Sequence, residues 1–131
     1  MLTPNFPSRE EVLLLHTDQI ATFGGTTGVR DQGLLDSALA QPQATFDGEL
    51  LHPTLADQAA AYLYHLSRNH PFIDGNKRTA FAVTESFIET NGYRLTLTDD
   101  EAYELTMQVA QGQLSKAELA GMLTQALELA D

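Results

Sequence analysis

The feature that most limits how this chain can fold is a pair of apolar helical stripes joined by a short polar loop. The first stripe runs from about Thr54 to Asn69 and is marked by Leu55, Ala59, Leu63 and Leu66, with Ala56 and Ala60 permitting close helix approach. The second runs from about Asn76 to Asn91, carries Ala80, Val83 and Phe87 with Phe81 and Ile88 beside them, and stops at Asn91-Gly92. Two such helices are the expected core, and they hold the loop between them in one geometry. Phe72 is expected to point inward and anchor that loop.

The loop and the helix start after it read His70-Pro71-Phe72-Ile73-Asp74-Gly75-Asn76-Lys77-Arg78-Thr79. A helix N-terminus offers unpaired N–H groups and the positive end of the dipole, which together attract an anion. Gly75 lets the backbone approach a ligand, and Asn76 can cap or donate. Lys77 and Arg78 add positive charge, with the guanidinium fork suited to phosphate oxygens. Asp74 is the natural Mg²⁺ ligand beside a phosphate, and His70 is the group able to exchange a proton near neutral pH.

Each of these residues alone has an ordinary explanation: a His before Pro is a loop residue, and Lys-Arg at a helix start is solvated surface. Their conjunction does not. Of the chain's 7 basic residues, Arg68, Lys77 and Arg78 fall within a short span, in a protein whose formal charge is −11. The residues therefore describe a phosphoryl- or nucleotidyl-transfer site, with His70 taking the proton of an incoming hydroxyl, Asp74 holding Mg²⁺, and Gly75, Asn76, Lys77 and Arg78 cradling phosphates. They do not decide which phosphorus is attacked.

With 131 residues the chain is long enough for one domain, residues 1–131, with an ordinary core. It has no cysteine, which removes disulfides and thiolate metal sites and suits a reducing cytoplasm. The opening Met-Leu-Thr-Pro-Asn-Phe-Pro has neither the basic region nor the apolar run of a signal peptide, and no stretch approaches the roughly 18 apolar residues of a membrane span. The acidic balance argues against nucleic acid.

Further helices are expected after Ser8, whose Ser-x-x-Glu form is a capping box, and after Asp31, Thr98 and Ser115. Gly24-Gly25 ends the first, and Pro42 bounds the second. His16 in the first helix is expected to be a packed or hydrogen-bonded residue rather than a ligand, and Tyr62, Tyr64 and His65 packing or interface residues. Phe46-Asp47-Gly48-Glu49 suggests a small hairpin, and Tyr93–Leu97 a short extended link. The expected fold is all-α, a compact bundle of about six helices with one small hairpin. The roles of Arg94 and Arg68 stay open.

The loop resembles the signature of the Fic/Doc superfamily, H-x-F-x-[DE]-G-N-G-R-x-x-R, matching it at His70, Phe72, Asp74, Gly75, Asn76 and Arg78. It departs at Lys77 and Phe81, where the pattern has its second Gly and second Arg. The Asn-Lys-Arg form is similar to the death-on-curing (Doc) branch, as is the run from Gly28 to Leu39 with Pro42-Gln43; the likeness spans roughly residues 10–125. In Fic enzymes that transfer AMP, the second Gly leaves room for nucleotide phosphates along the helix start. The Doc branch's lysine accompanies an inverted nucleotide and transfer of the γ-phosphate of ATP.

The resemblance thus implies a toxin-like protein kinase acting on a bacterial protein, translation elongation factor Tu, and arresting translation. It implies a flap near residues 43–53 that positions the target. It also implies restraint by a small, separately encoded antitoxin, because no Glu here is followed by Gly or Asn as in the self-inhibitory Fic helix. AMP transfer is the alternative, kept open by Gly75, where the familiar Doc form has Ala, and opposed by Phe81. A binding module without catalysis is the third reading, opposed by the presence of both His70 and Asp74. His16, His52 and His65 show no metal-hydrolase spacing.

Overall fold

A computed structural model describes residues 4–130; residues 1–3 of the opening stretch read for a leader, and Asp131, lie outside the described residues. Six α-helices dominate it: α1 (Arg9–Phe23), α2 (Gln32–Ala40), α3 (Leu55–Asn69), α4 (Asn76–Thr90), α5 (Asp99–Ala110) and α6 (Lys116–Ala126). Their starts follow local chemistry. Ser8, Thr54, Thr98 and Ser115 each close a capping box with the acidic residue at the third helical position, and Asp31 accepts from the Leu34 N–H. Each such cap contributes about 1 kcal/mol.

The central helix is α3, which packs against α2, α4, α5 and α6. Tyr62, Leu63 and Leu66 from it meet Val83, Phe87 and Ile88 of α4 in one buried cluster that also takes in Leu35, Val109, Leu119 and Leu123. Leu55 and Phe81 are only partly buried at its margin. The expected all-α bundle around these two helices is what the chain forms, and no helix among the described residues is long and apolar enough to cross a membrane.

The expected hairpin is present as β1 (Thr45–Phe46) and β2 (Glu49–Leu50), paired antiparallel around Asp47-Gly48. Asp47 at φ 52° and Gly48 at φ 81° supply the two positive dihedrals that a tight hairpin turn needs. A second pairing differs from the expectation of a mere extended link. β3 (Tyr93–Leu95) pairs antiparallel with β4 (Leu127–Leu129), closing the C-terminal segment onto the turn after α4. The cause is long-range: alternation in Tyr93–Leu97 shows extended backbone but not its partner. Arg94, whose role the sequence left open, pairs with Glu128 across this ladder at 2.6 Å and is half exposed; such a bridge contributes little stability.

Candidate active site

The loop between α3 and α4 is fixed from three sides, beginning with its own helix ends. α3 ends on His70, which adopts the left-handed conformation (φ 49°, ψ 55°), unusual for a residue other than glycine. This reverses the chain sharply, leaving the His70 side chain exposed and burying Phe72 to 1% exposure, as expected of the anchor. Asn76 then staples the loop to α4: its Oδ1 accepts from the Phe72 N–H at 2.8 Å and its Nδ2 donates to the Phe72 carbonyl at 3.0 Å.

The segment before α2 forms the second side. Val29 pairs with Phe72 in a single antiparallel bridge, the Ile73 N–H donates to Gly28 O, and the N–H groups of Arg30 and Asp31 both donate to Pro71 O. Arg30 then reaches across, with Nε donating to His70 O at 2.8 Å and Nη2 to Asn69 O at 3.0 Å. Sequence reasoning missed Arg30. Its Gly28–Leu39 setting was noticed as a family likeness, but the signal that could have pointed to the loop, the Gly28-Val29-Arg30 run before a helix cap, does not say what it pairs with.

The third side is α1. His16, buried to 2% exposure, stacks on Phe72 with ring centroids 3.9 Å apart, and its Nε2 lies 2.9 Å from the carbonyl oxygen of Asp74. A carbonyl can only accept, so Nε2 carries the proton. The expectation of a packed, hydrogen-bonded histidine holds. Just beyond α1, the Thr26 N–H donates to Asp74 Oδ2 at 3.2 Å, while the Gly75 N–H donates to Oδ1 at 2.9 Å. Gly25 has a positive φ of 118°, and a Cβ there would stand 2.7 Å from Asp74 Oδ2, so glycine makes room for the carboxylate.

Beside this loop opens a cleft of about 700 Å³ between the end of α1, the start of α4 and α5. Asp74, Gly75, Asn76, Lys77 and Arg78 line one wall, and Phe23, Phe81, Tyr103 and Met107 are apolar groups around it. Its size is that of an ordinary small-molecule site. Among the six α-helices, α4 begins without a side-chain cap, because Gly75 occupies the cap position in the left-handed conformation. The orphan N–H groups of its first turn are thus left for a ligand. Lys77 is exposed and has no hydrogen-bond or carboxylate partner among the described residues.

Arg78 is placed differently from a free phosphate clamp. It turns back to the C-terminal end of α1, donating to Gly24 O at 2.9 Å and Gln19 O at 3.5 Å, with its guanidinium 5.6 Å from the Phe23 ring centre. The negative end of the α1 dipole offsets a cation placed at the positive end of α4. Arg68, counted with this charge cluster from sequence, is not on the cleft: it lies over the Tyr64 ring at 5.8 Å, and its guanidinium abuts Gly112. His70 also lies outside the cleft-lining residues, exposed at the opposite end of the same loop.

The donor set fits a hard divalent cation and a phosphate. Asp74 is exposed, and its two oxygens, each accepting one backbone N–H, retain lone pairs for a metal. No group of three or more His, Cys, Asp or Glu side chains gathers among the described residues. A cation at Asp74 would complete its shell with water and phosphate oxygens, as Mg²⁺ does.

The Fic/DOC family model matches residues 6–88, which contain α1 to α3, the whole loop and all but the last two residues of α4. The chain belongs to the Fic/DOC family. It is similar to the Toxin Doc of Mycolicibacterium smegmatis, 46% identical over 119 residues that cover 86% of this chain and 89% of that protein. It is also similar to the Protein kinase doc of Escherichia phage P1, 33% identical over 116 residues covering 88% of this chain and 90% of that one. Both likenesses cover more of the chain than the family match does, and both relatives are Doc proteins, the branch to which the Asn76-Lys77-Arg78 form points.

Proposed function

We propose that this chain is a Doc-type toxin that transfers the γ-phosphate of ATP to a hydroxyl of a bacterial protein. The observation that carries the proposal is the uncapped start of α4, where Lys77 stands exposed, without a partner among the described residues, and lines the same cleft of nucleotide size as Asp74. His70 accepts the proton of the attacking hydroxyl, whose oxygen forms a bond to the γ-phosphorus as the bond to the β-phosphate oxygen breaks, leaving ADP. The first-turn N–H groups of α4 and Lys77 neutralise the phosphates, and Arg78 has N–H donors beyond those spent on Gly24 and Gln19. A Mg²⁺ ion at Asp74 would supply charge compensation on the phosphate oxygens. Phe23, Phe81 and Tyr103 offer faces for the base.

The alternative of AMP transfer loses one of its supports. Gly75 has a local reason for being glycine, since it sits at φ 71° and a Cβ would meet Ile20 Cδ1 at 3.0 Å and Arg78 Nη2 at 3.1 Å. It therefore carries no preference between the two transfers. Phe81, in the place of the pattern's second Arg, gives the cleft an apolar wall there.

The β1–β2 hairpin, with Phe46 and Leu51 exposed, suits the flap that seats a target segment by strand addition. Elongation factor Tu is the target the family likeness suggests, and a small antitoxin the inhibitor. The nucleotide product tests the reaction: with Mg²⁺, ATP and elongation factor Tu, the reading expects ADP to form. Release of pyrophosphate instead would contradict it.

A further inference from the structure

The metal carboxylate is held by a histidine that the transfer reaction leaves without a task. His16 packs its ring flat on Phe72, at an interplanar angle of 8°, and aims Nε2–H at one atom, the main-chain oxygen of Asp74. An apolar ring would satisfy the stacking alone. The hydrogen bond does something further, because the Asp74 carbonyl and the Gly75 N–H belong to one rigid peptide plane and point in opposite directions. Holding the carbonyl against α1 turns the Gly75 N–H to the other side, where it donates to Asp74 Oδ1 at 2.9 Å. The plane needs such a hold: Gly75, on one side of it, is a glycine at φ 71° and has no side chain to resist rotation.

We propose that His16 is a positioning residue that fixes the Asp74 carboxylate for a divalent cation by clamping the Asp74–Gly75 peptide plane. The proposal rests on the reading of Asp74 as the cation's ligand. Partners one step removed from a metal commonly change its affinity 10- to 100-fold, which sets the size of effect to expect.

The test compares the full chain with His16→Phe, which keeps the ring stacked, and His16→Gln, which keeps a donor. Folding is checked by circular dichroism. Mn²⁺ binding in the presence of a non-hydrolysable ATP analogue is followed by electron paramagnetic resonance, and exchange of the Gly75 amide by NMR without metal. The phenylalanine variant is expected to exchange Gly75 faster and to bind Mn²⁺ about tenfold more weakly, with the glutamine variant within about threefold of the parent. Unchanged Gly75 exchange in His16→Phe overturns the proposal, as does a glutamine variant as impaired as the phenylalanine one. Faster exchange with unchanged Mn²⁺ affinity also overturns it, and Asp74→Asn then locates the error. If that variant binds Mn²⁺ like the parent, Asp74 is not the ligand; if it loses Mn²⁺, Asp74 is the ligand and the peptide clamp does not set its affinity.

Discussion

Arg30 Nε donates to the main-chain oxygen of His70 at 2.8 Å, so the residue expected to act as base is held through its backbone by a side chain from a distant segment. The left-handed conformation of His70 costs on the order of 1–2 kcal/mol, and Arg30 is the partner that offsets it. Arg30→Ala is expected to lower stability by about 1–2 kcal/mol, since its bonds are charge-assisted but exposed. Transfer should fall further, by about ten- to a hundredfold, because His70 loses its fixed direction. Urea unfolding set beside the initial rate separates the two effects; a rate that falls only as stability falls would contradict the account.

Asn76 forms both of its short bonds to the backbone of Phe72, which makes it a structural staple as well as a cleft residue. Asn76→Ala leaves a partly buried N–H and C=O unpaired and is expected to cost about 2–3 kcal/mol in urea unfolding. A loss below about 0.5 kcal/mol would show that water replaces the amide without penalty.

Gly24 and Gly25 allow a controlled test of the metal role proposed for Asp74. Both have positive φ, but a Cβ at Gly24 meets nothing within 4 Å while one at Gly25 meets Asp74 Oδ2 at 2.7 Å. Alanine at either position should lower stability by about 1–3 kcal/mol through backbone strain. Gly25→Ala alone is expected to raise the Mg²⁺ concentration needed for half-maximal rate. Equal Mg²⁺ dependence in the two variants would remove Asp74 from the metal site.

His65 provides a test by pH. Burial, with the nearby Lys116 and His52, lowers its pKa from 6.5 to about 4, and Lys116 Nζ lies 3.0 Å from its Nε2. The folded protein then binds fewer protons than the unfolded chain between those two values. The stability His65 contributes is complete above pH 6.5 and is lost as pH falls toward about 4. His65→Gln is expected to flatten the decline of stability in that window, measured by urea unfolding at successive pH values. Parallel curves for parent and variant would contradict the assignment.

Much of the fold was legible because its signals are local. Ser8, Thr54, Thr98 and Ser115 each announce a helix within four residues, and the stripes of α3 and α4 identify the core pair. The loop between the two helices was legible for the same reason, its residues being contiguous from His70 to Arg78. What the sequence hid was pairing across distance. Nothing near Val29 reveals its bridge to Phe72, and nothing near Tyr93 reveals Leu129. Side-chain direction was hidden too: proximity along the chain put Arg68 with Lys77 and Arg78, whereas the reversal at His70 sends it toward Tyr64 and Gly112.

The most direct test of the central claim follows label from ATP onto protein. Purified chain, Mg²⁺ and elongation factor Tu are incubated in parallel with ATP labelled at the γ- or the α-phosphate, alongside His70→Ala. Label on the target from γ-labelled ATP alone, absent with His70→Ala, is the expected result. Label from α-labelled ATP would mean nucleotidyl transfer and would contradict the role given to Lys77.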